Sequence, residues 1–187
     1  MSGDGFPDVV WIPAHAQRHQ VKASRTIDAI VLHCTDGSAV DAKQTARNVF
    51  GSAPEVGADG KLKSQSAHYI VGRDGTVVQC VLHKDVAFHA NLENATTIGV
   101  EHNARSPQDT TLTDIQYWRS AQLVRWICRT VGVPIDPYYI FVHSEIDKTT
   151  SHSSCPQRAL DWDTYWKALA DAQAVEQGRT PMRLWDQ

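Results

Sequence analysis

The stretch DAIVLH, residues 28–33, decides the fold. It is a short run dominated by β-branched and other apolar side chains, too short for a helix, and it reads as a buried strand that ends on a histidine. Working outward, AHYIVGRDGTVVQCV (67–81) places two β-rich runs around Arg73-Asp74-Gly75, and Asp-Gly is a strong hairpin signal. Two further strands follow from TTIGVEH (96–102) and YIFVH (139–143). Between them lie helical patterns. Residues 41–51 carry helix formers with Gly51 as a C′ residue, 113–131 carry an apolar stripe, and 161–173 form a closing helix. The middle helix is the best marked. Thr113 and Gln116 make a capping box, while Gly132 and Pro134 stop it. Strands that alternate with helices predict an α/β fold with one mixed sheet flanked by helices.

A chain of 187 residues holds one full domain and is short for two. The boundaries expected are an N-terminal arm or lead-in at 1–26, a folded domain at 27–173 and a tail at 174–187. With 42% hydrophobic and 21% charged residues, a packed core is expected rather than disorder. The net charge of −3 and the absence of like-charge runs argue against nucleic acid as a partner. The start, MSGDGFPDVV, has no basic region followed by an apolar stretch, so it reads as neither signal peptide nor membrane anchor. No later segment is apolar for long enough to insert in a bilayer. The expectation is synthesis in the cytoplasm without a signal peptide, with any role outside the cell following release by another route. No obligate protein partner is readable.

The four cysteines include no CxxC pair, and Cys80 and Cys128 lie in apolar runs that read as core. Three residues stand out as candidate metal ligands. His33 ends the first strand, His143 ends the last one, and Cys155 lies twelve positions beyond it. Strand ends in α/β sheets project into the site crevice. Two imidazoles and a thiolate form a three-ligand zinc (Zn2+) set that leaves a fourth position for water. Taken alone, the spacing is a weak signal, because no short His-x-x-His links the three. Cys34 adjoins His33 but points to the other face of the strand by the period of two.

Context adds to this. IVLHCTDG (30–37), SAHYIVGRDGTVVQ (66–79), AFHANLENATTIGVEHN (87–103) and FVHSEID followed by SSCP, in that order over residues 27–166, resemble the type-2 N-acetylmuramoyl-L-alanine amidases. These include amidase-type phage lysozymes, muropeptide-recycling amidases and peptidoglycan recognition proteins. The resemblance implies a mixed sheet flanked by helices, zinc at the floor of a groove, and peptidoglycan or muropeptides as substrate. It implies zinc ligation by His33, His143 and Cys155. Glu101 takes the position of a catalytic glutamate. The family's alternative, a tyrosine just before the hairpin's histidine, is excluded by Ala67. Ser153 stands where relatives often carry Lys or Thr to support an oxyanion, with His152 and Lys148 nearby as substitutes. His68 matches a position near the zinc, either supporting it or touching substrate. His89 matches a groove histidine that contacts muramyl peptide; Asn91 is grouped with it as a substrate-binding residue, and Asn91 and Asn94 shape that loop. His15, His19, His83 and His102 have no matching role and are read as surface residues.

The leaderless start, almost all catalytic domain, favours a phage or prophage endolysin. A cytoplasmic recycling amidase is the competing setting. A non-catalytic wall-binding module is disfavoured because Cys155 is present.

Overall fold

The structure is a computed structural model that describes residues 3–35, 41–104, 111–147, 155–156, 159–183 and 185. Its centre is a six-stranded mixed sheet. The strands in chain order are β1 (Val10–Trp11), β3 (Ala29–Cys34), β4 (Tyr69–Val71), β5 (Val77–Gln79), β7 (Thr97–His102) and β8 (Ile140–Val142). The spatial order is β1-β5-β4-β7-β3-β8. Only the hairpin β4–β5 is antiparallel; the other neighbours run parallel. A separate antiparallel pair joins β2 (His19–Gln20) to β6 (Val86–Ala87).

Period-two alternation splits this sheet into two unlike faces. Ile30 and Leu32 of β3, with Ile98 and Val100 of β7, point to one side. There they meet the apolar stripes of α2 (Asp114–Val131) and α4 (Trp162–Glu176) in the main core. Helix α2 begins and ends as the sequence reads. Thr113 and Gln116 close the capping box, and Gly132 takes a left-handed φ of 79°. Such a conformation favours glycine because it has no Cβ to clash. On the other side of the sheet, Ile70, Val78 and Cys80 pack against Ala42, Ala46 and Phe50 of a short helical segment. That segment, read from sequence as one helix, is α1 (Ala42–Thr45) passing into a π-helical turn over Ala46–Phe50. Gly51 ends it with φ −79° rather than the left-handed conformation of a C′ glycine.

Two ends of the chain are better ordered than their sequence suggests. Within the lead-in, β1 adds an edge strand beside β5, and Phe6 is 5% exposed and packs edge-on against Trp126. Asp4 accepts the His83 N–H at 2.8 Å. We expect Phe6→Ala to destabilise the protein by about 3–5 kcal/mol, the usual cost of emptying an aromatic core site; urea unfolding checks this, and a change under 1 kcal/mol would show the arm to be dispensable. At the other end, Trp185 stacks on Trp118, and its indole N–H donates to Asp171 at 3.1 Å. The backbone N–H groups of Met182 and Arg183 donate to the same carboxylate. No helix among the described residues is long and apolar enough to cross a membrane.

Candidate metal centre

The face of the sheet away from α2 and α4 carries His33 on β3 and Thr97, Gly99 and Glu101 on β7. Strands β3 and β7 are in register with His33 beside Glu101, so both side chains leave the sheet on the same side. His143 reaches the same place from the next strand. It does not end β8, as the sequence suggests, but opens the short helix α3 (His143–Ile146). The Glu145 carboxylate accepts the Val142 N–H at 2.9 Å and fixes that turn. Cys155 completes the group: the backbone N–H of Cys34 donates to its sulfur at 3.3 Å. The Cys34 side chain itself lies on the opposite face, against the main core.

His33, His143 and Cys155 thus place one ligand atom each within 4.8 Å of one another. The two imidazoles face each other through Nδ1 atoms 3.2 Å apart. Two nitrogens on a tetrahedral zinc at about 2.0–2.1 Å stand about 3.3–3.4 Å from each other, so the spacing suits that ion. Donor chemistry agrees. His143 Nε2 lies 3.4 Å from Asp147 Oδ2, a carboxylate that can take its proton and leave Nδ1 as the metal-binding atom. Asn91, with a φ of 50°, donates its side-chain amide to the same Asp147 oxygen. Asp147 was not singled out from sequence; its i+4 spacing from His143 was the signal available.

Glu101 is partly buried, yet its Oε2 is shut off from solvent with no hydrogen-bond partner among the described residues. Burial pushes its carboxyl group up to about 8. An enclosed carboxyl with one unpartnered oxygen beside a candidate ligand histidine makes Glu101 a candidate proton-transfer group. Ser153, His152 and Lys148 lie outside the described residues.

The remaining histidines separate into two groups. His89 is 9% exposed; its Nδ1 is 3.0 Å from His33 Nε2. The Asn94 side chain accepts the N–H groups of His89 and Ala90 and holds their loop. His68 has no exposed surface. Its Nδ1 accepts the Gly99 N–H at 3.0 Å, its Nε2 faces the Asp85 carbonyl at 3.1 Å, and its ring meets that of His89 edge-on. The ring therefore supports its neighbours here rather than facing solvent. Arg25 lies against it and ties down the Asn94 and Thr97 carbonyls; nothing in the sequence marks this arginine.

His83 and His102, read as surface residues, are 7% and 0% exposed. His102 alternates onto the helix side with Ile98 and Val100. Its Nδ1–H donates to the His33 carbonyl at 2.8 Å, Ser120 donates to its Nε2 at 2.7 Å, and Tyr165 lies 2.9 Å from Ser120. This chain anchors the backbone of His33 from α2 and α4, through the core. His83 meets the Tyr69 hydroxyl at 2.7 Å.

Comparison with known proteins gives a consistent answer. Residues 23–158 match the family model described as N-acetylmuramoyl-L-alanine amidase, Amidase_2. Over 129 residues the chain is 27% identical to N-acetylmuramoyl-L-alanine amidase A of Achromobacter lyticus. That match covers 68% of this chain and 66% of the relative, just under two thirds of its length. In fold, the chain resembles a selenomethionine AmpD derivative, with a TM-score of 0.70 at 18% identity over 90% of this chain and 99% of that one. It also resembles the amidase LysC of Clostridium intestinale, with a TM-score of 0.64 at 15% identity over 94% and 100% of the two chains. The Ph2119 endolysin of a Thermus scotoductus bacteriophage matches with a TM-score of 0.58 at 14% identity, over 83% and 92%. The family match spans most of the chain and includes all three clustered ligands, and this protein accordingly belongs to the N-acetylmuramoyl-L-alanine amidase family.

Proposed function

We propose that the protein is a zinc-dependent hydrolase of the amide bond between the lactyl group of N-acetylmuramic acid and the L-alanine of the peptidoglycan stem peptide. The observation that carries the metal reading is the convergence of His33 Nδ1 and His143 Nδ1 at 3.2 Å beside Cys155 Sγ. His33, His143 and Cys155 would hold the zinc, which would supply a Lewis acid for the scissile carbonyl and for a water nucleophile at neutral pH. A cation held beside Glu101 would favour its ionised form; the carboxylate accepts a proton from the attacking water and passes it to the departing amine of L-alanine, so that acid and amine form with no net proton change. Asp147 and Asn91 hold His143 in place. Ser153 donates a hydrogen bond to the developing oxyanion; on this reading Ser153→Ala lowers kcat by roughly tenfold with little change in KM, less than a dedicated oxyanion donor, because the metal shares that load.

The setting we favour is a phage or prophage endolysin acting on the wall after release. Three neighbours in fold are described as endolysins, which fits this setting; a role on soluble muropeptides is the competing one. The test is digestion of purified sacculi and of soluble muropeptides by the zinc-loaded protein, with new ends identified by mass spectrometry. Fresh L-alanine amino termini support the amidase reading, and new reducing sugar ends or cut peptide cross-links would overturn it. Preference for sacculi over soluble fragments supports the endolysin setting; the reverse favours recycling.

A further inference from the structure

His89 matches a family position associated with substrate contact, but its surroundings give it different work. The Thr97 hydroxyl lies 2.7 Å from the Glu93 carbonyl, and a carbonyl can only accept, so the hydroxyl proton is committed there. His89 Nε2, 3.3 Å from the same hydroxyl oxygen, must therefore carry a proton and donate it. The Thr97 backbone carbonyl acts on the ring as an acceptor as well. The ring is buried and lies against the imidazoles of His33 and His68, where a second proton would be a charge without solvent, so the neutral ring holds one proton only. Its Nδ1 is then a bare lone pair. His33 Nε2 faces that lone pair at 3.0 Å and must be the protonated nitrogen of its own ring. On the reading of His33 as a neutral metal ligand, that one proton on Nε2 leaves Nδ1 unprotonated, aimed at His143 Nδ1 and the Cys155 group.

We infer that His89 is a positioning residue that fixes His33 as the Nε2–H tautomer, with Thr97 setting the direction of the chain. This rests on the reading of His33 as a metal ligand through Nδ1. The backbone makes room for the arrangement. A Cβ at Gly99 would come within 2.6 Å of His89 Cγ, so glycine on β7 is what lets the ring lie flat against the sheet and reach His33. A histidine whose only task was to touch a ligand in the groove would not need this seat, nor would it need its Nδ1 turned inward.

The experiment pairs tautomer assignment with metal affinity. Long-range nitrogen–proton NMR of the metal-free wild-type chain reports which nitrogen of His33 bears the proton, and competition with a chromophoric chelator gives the zinc affinity. We expect Nε2–H at His33. His89→Phe keeps a ring of similar size without the acceptor, and should weaken zinc binding about 10–100-fold, the usual effect of losing a partner behind a ligand histidine. KM at saturating zinc should stay unchanged. His89→Asn, whose Oδ1 stands about where Nδ1 stood, should restore most of the affinity. A His33 protonated on Nδ1, or a His89→Phe variant with wild-type zinc affinity and a raised KM, overturns the inference and returns His89 to substrate contact. A wild-type chain that binds no zinc but shows His33 as Nε2–H would instead defeat the metal reading, and with it the purpose assigned to the tautomer.

Discussion

Glu101→Gln should retain zinc and lose about 10²–10⁴-fold in the rate of wall hydrolysis, the range a general acid–base group contributes. The amide nearly matches the carboxyl in shape but cannot take a proton from water. The geometry gives a second, independent readout. Because Glu101 Oε2 is enclosed without a partner and burial raises its carboxyl to about 8, the metal-free folded protein holds that proton where the unfolded chain has already released it. The folded state thus binds more protons between the ordinary carboxylate range and pH 8, and stability must fall as pH rises through that window. Gln carries no such dependence. The melting temperature of metal-free Glu101→Gln should exceed that of wild type by a margin that grows from pH 5 to 8 and then levels. A variant cleaving within a few-fold of wild type would make Glu101 structural, and a margin independent of pH would show that the carboxyl is not held protonated by burial.

His33→Ala and His143→Ala should each lose both the bound ion and hydrolysis of the wall. Wild type should carry about one zinc per chain, as a three-ligand open site holds a single ion. Removing either imidazole leaves one nitrogen and one sulfur, too few donors to retain zinc against a chelator. Cys34→Ala is the control. Its side chain sits on the helix side of β3, and its backbone N–H and carbonyl meet the Cys155 sulfur. That variant should keep its zinc, with a modest loss of stability from the core. Metal retained in either histidine variant, measured by elemental analysis after gel filtration, would remove these residues from the ligand set.

Much of this architecture is legible in the sequence where local signals and burial agree. The run at 28–33, the hairpin around Asp74-Gly75 and the capping box of α2 all form where the pattern places them. What escapes is set by tertiary contact. Two-residue β1 has no period to read; it forms because β5 offers an open edge, with Phe6 docking nearby in the main core. His102 looks polar and is therefore read as exposed, but strand alternation directs it into the main core, where Ser120 satisfies it. The candidate ligands are visible through their resemblance to a family; their mutual approach is not, since His33 and His143 are 110 positions apart. Support from Thr97 and Gly99 is silent in the sequence, because it depends on which nitrogen or which missing Cβ faces which ring; that from Asp147 shows only as its i+4 spacing from His143.

The strand order has a consequence for synthesis. β3 is the third strand to be made, yet its partners β7 and β8 come from far down the chain, and β8 immediately precedes His143. During translation His33 must wait, without its neighbours, until residues through Cys155 have left the ribosome. Pairings of such large sequence separation form slowly because the intervening chain must first be ordered. A nascent chain lacking the segment after β7 can therefore fold part of its sheet but cannot assemble the full ligand set. Metal acquisition would then follow the emergence of Cys155, and any hydrolytic capability would switch on only after β8 and the segment behind it have been made.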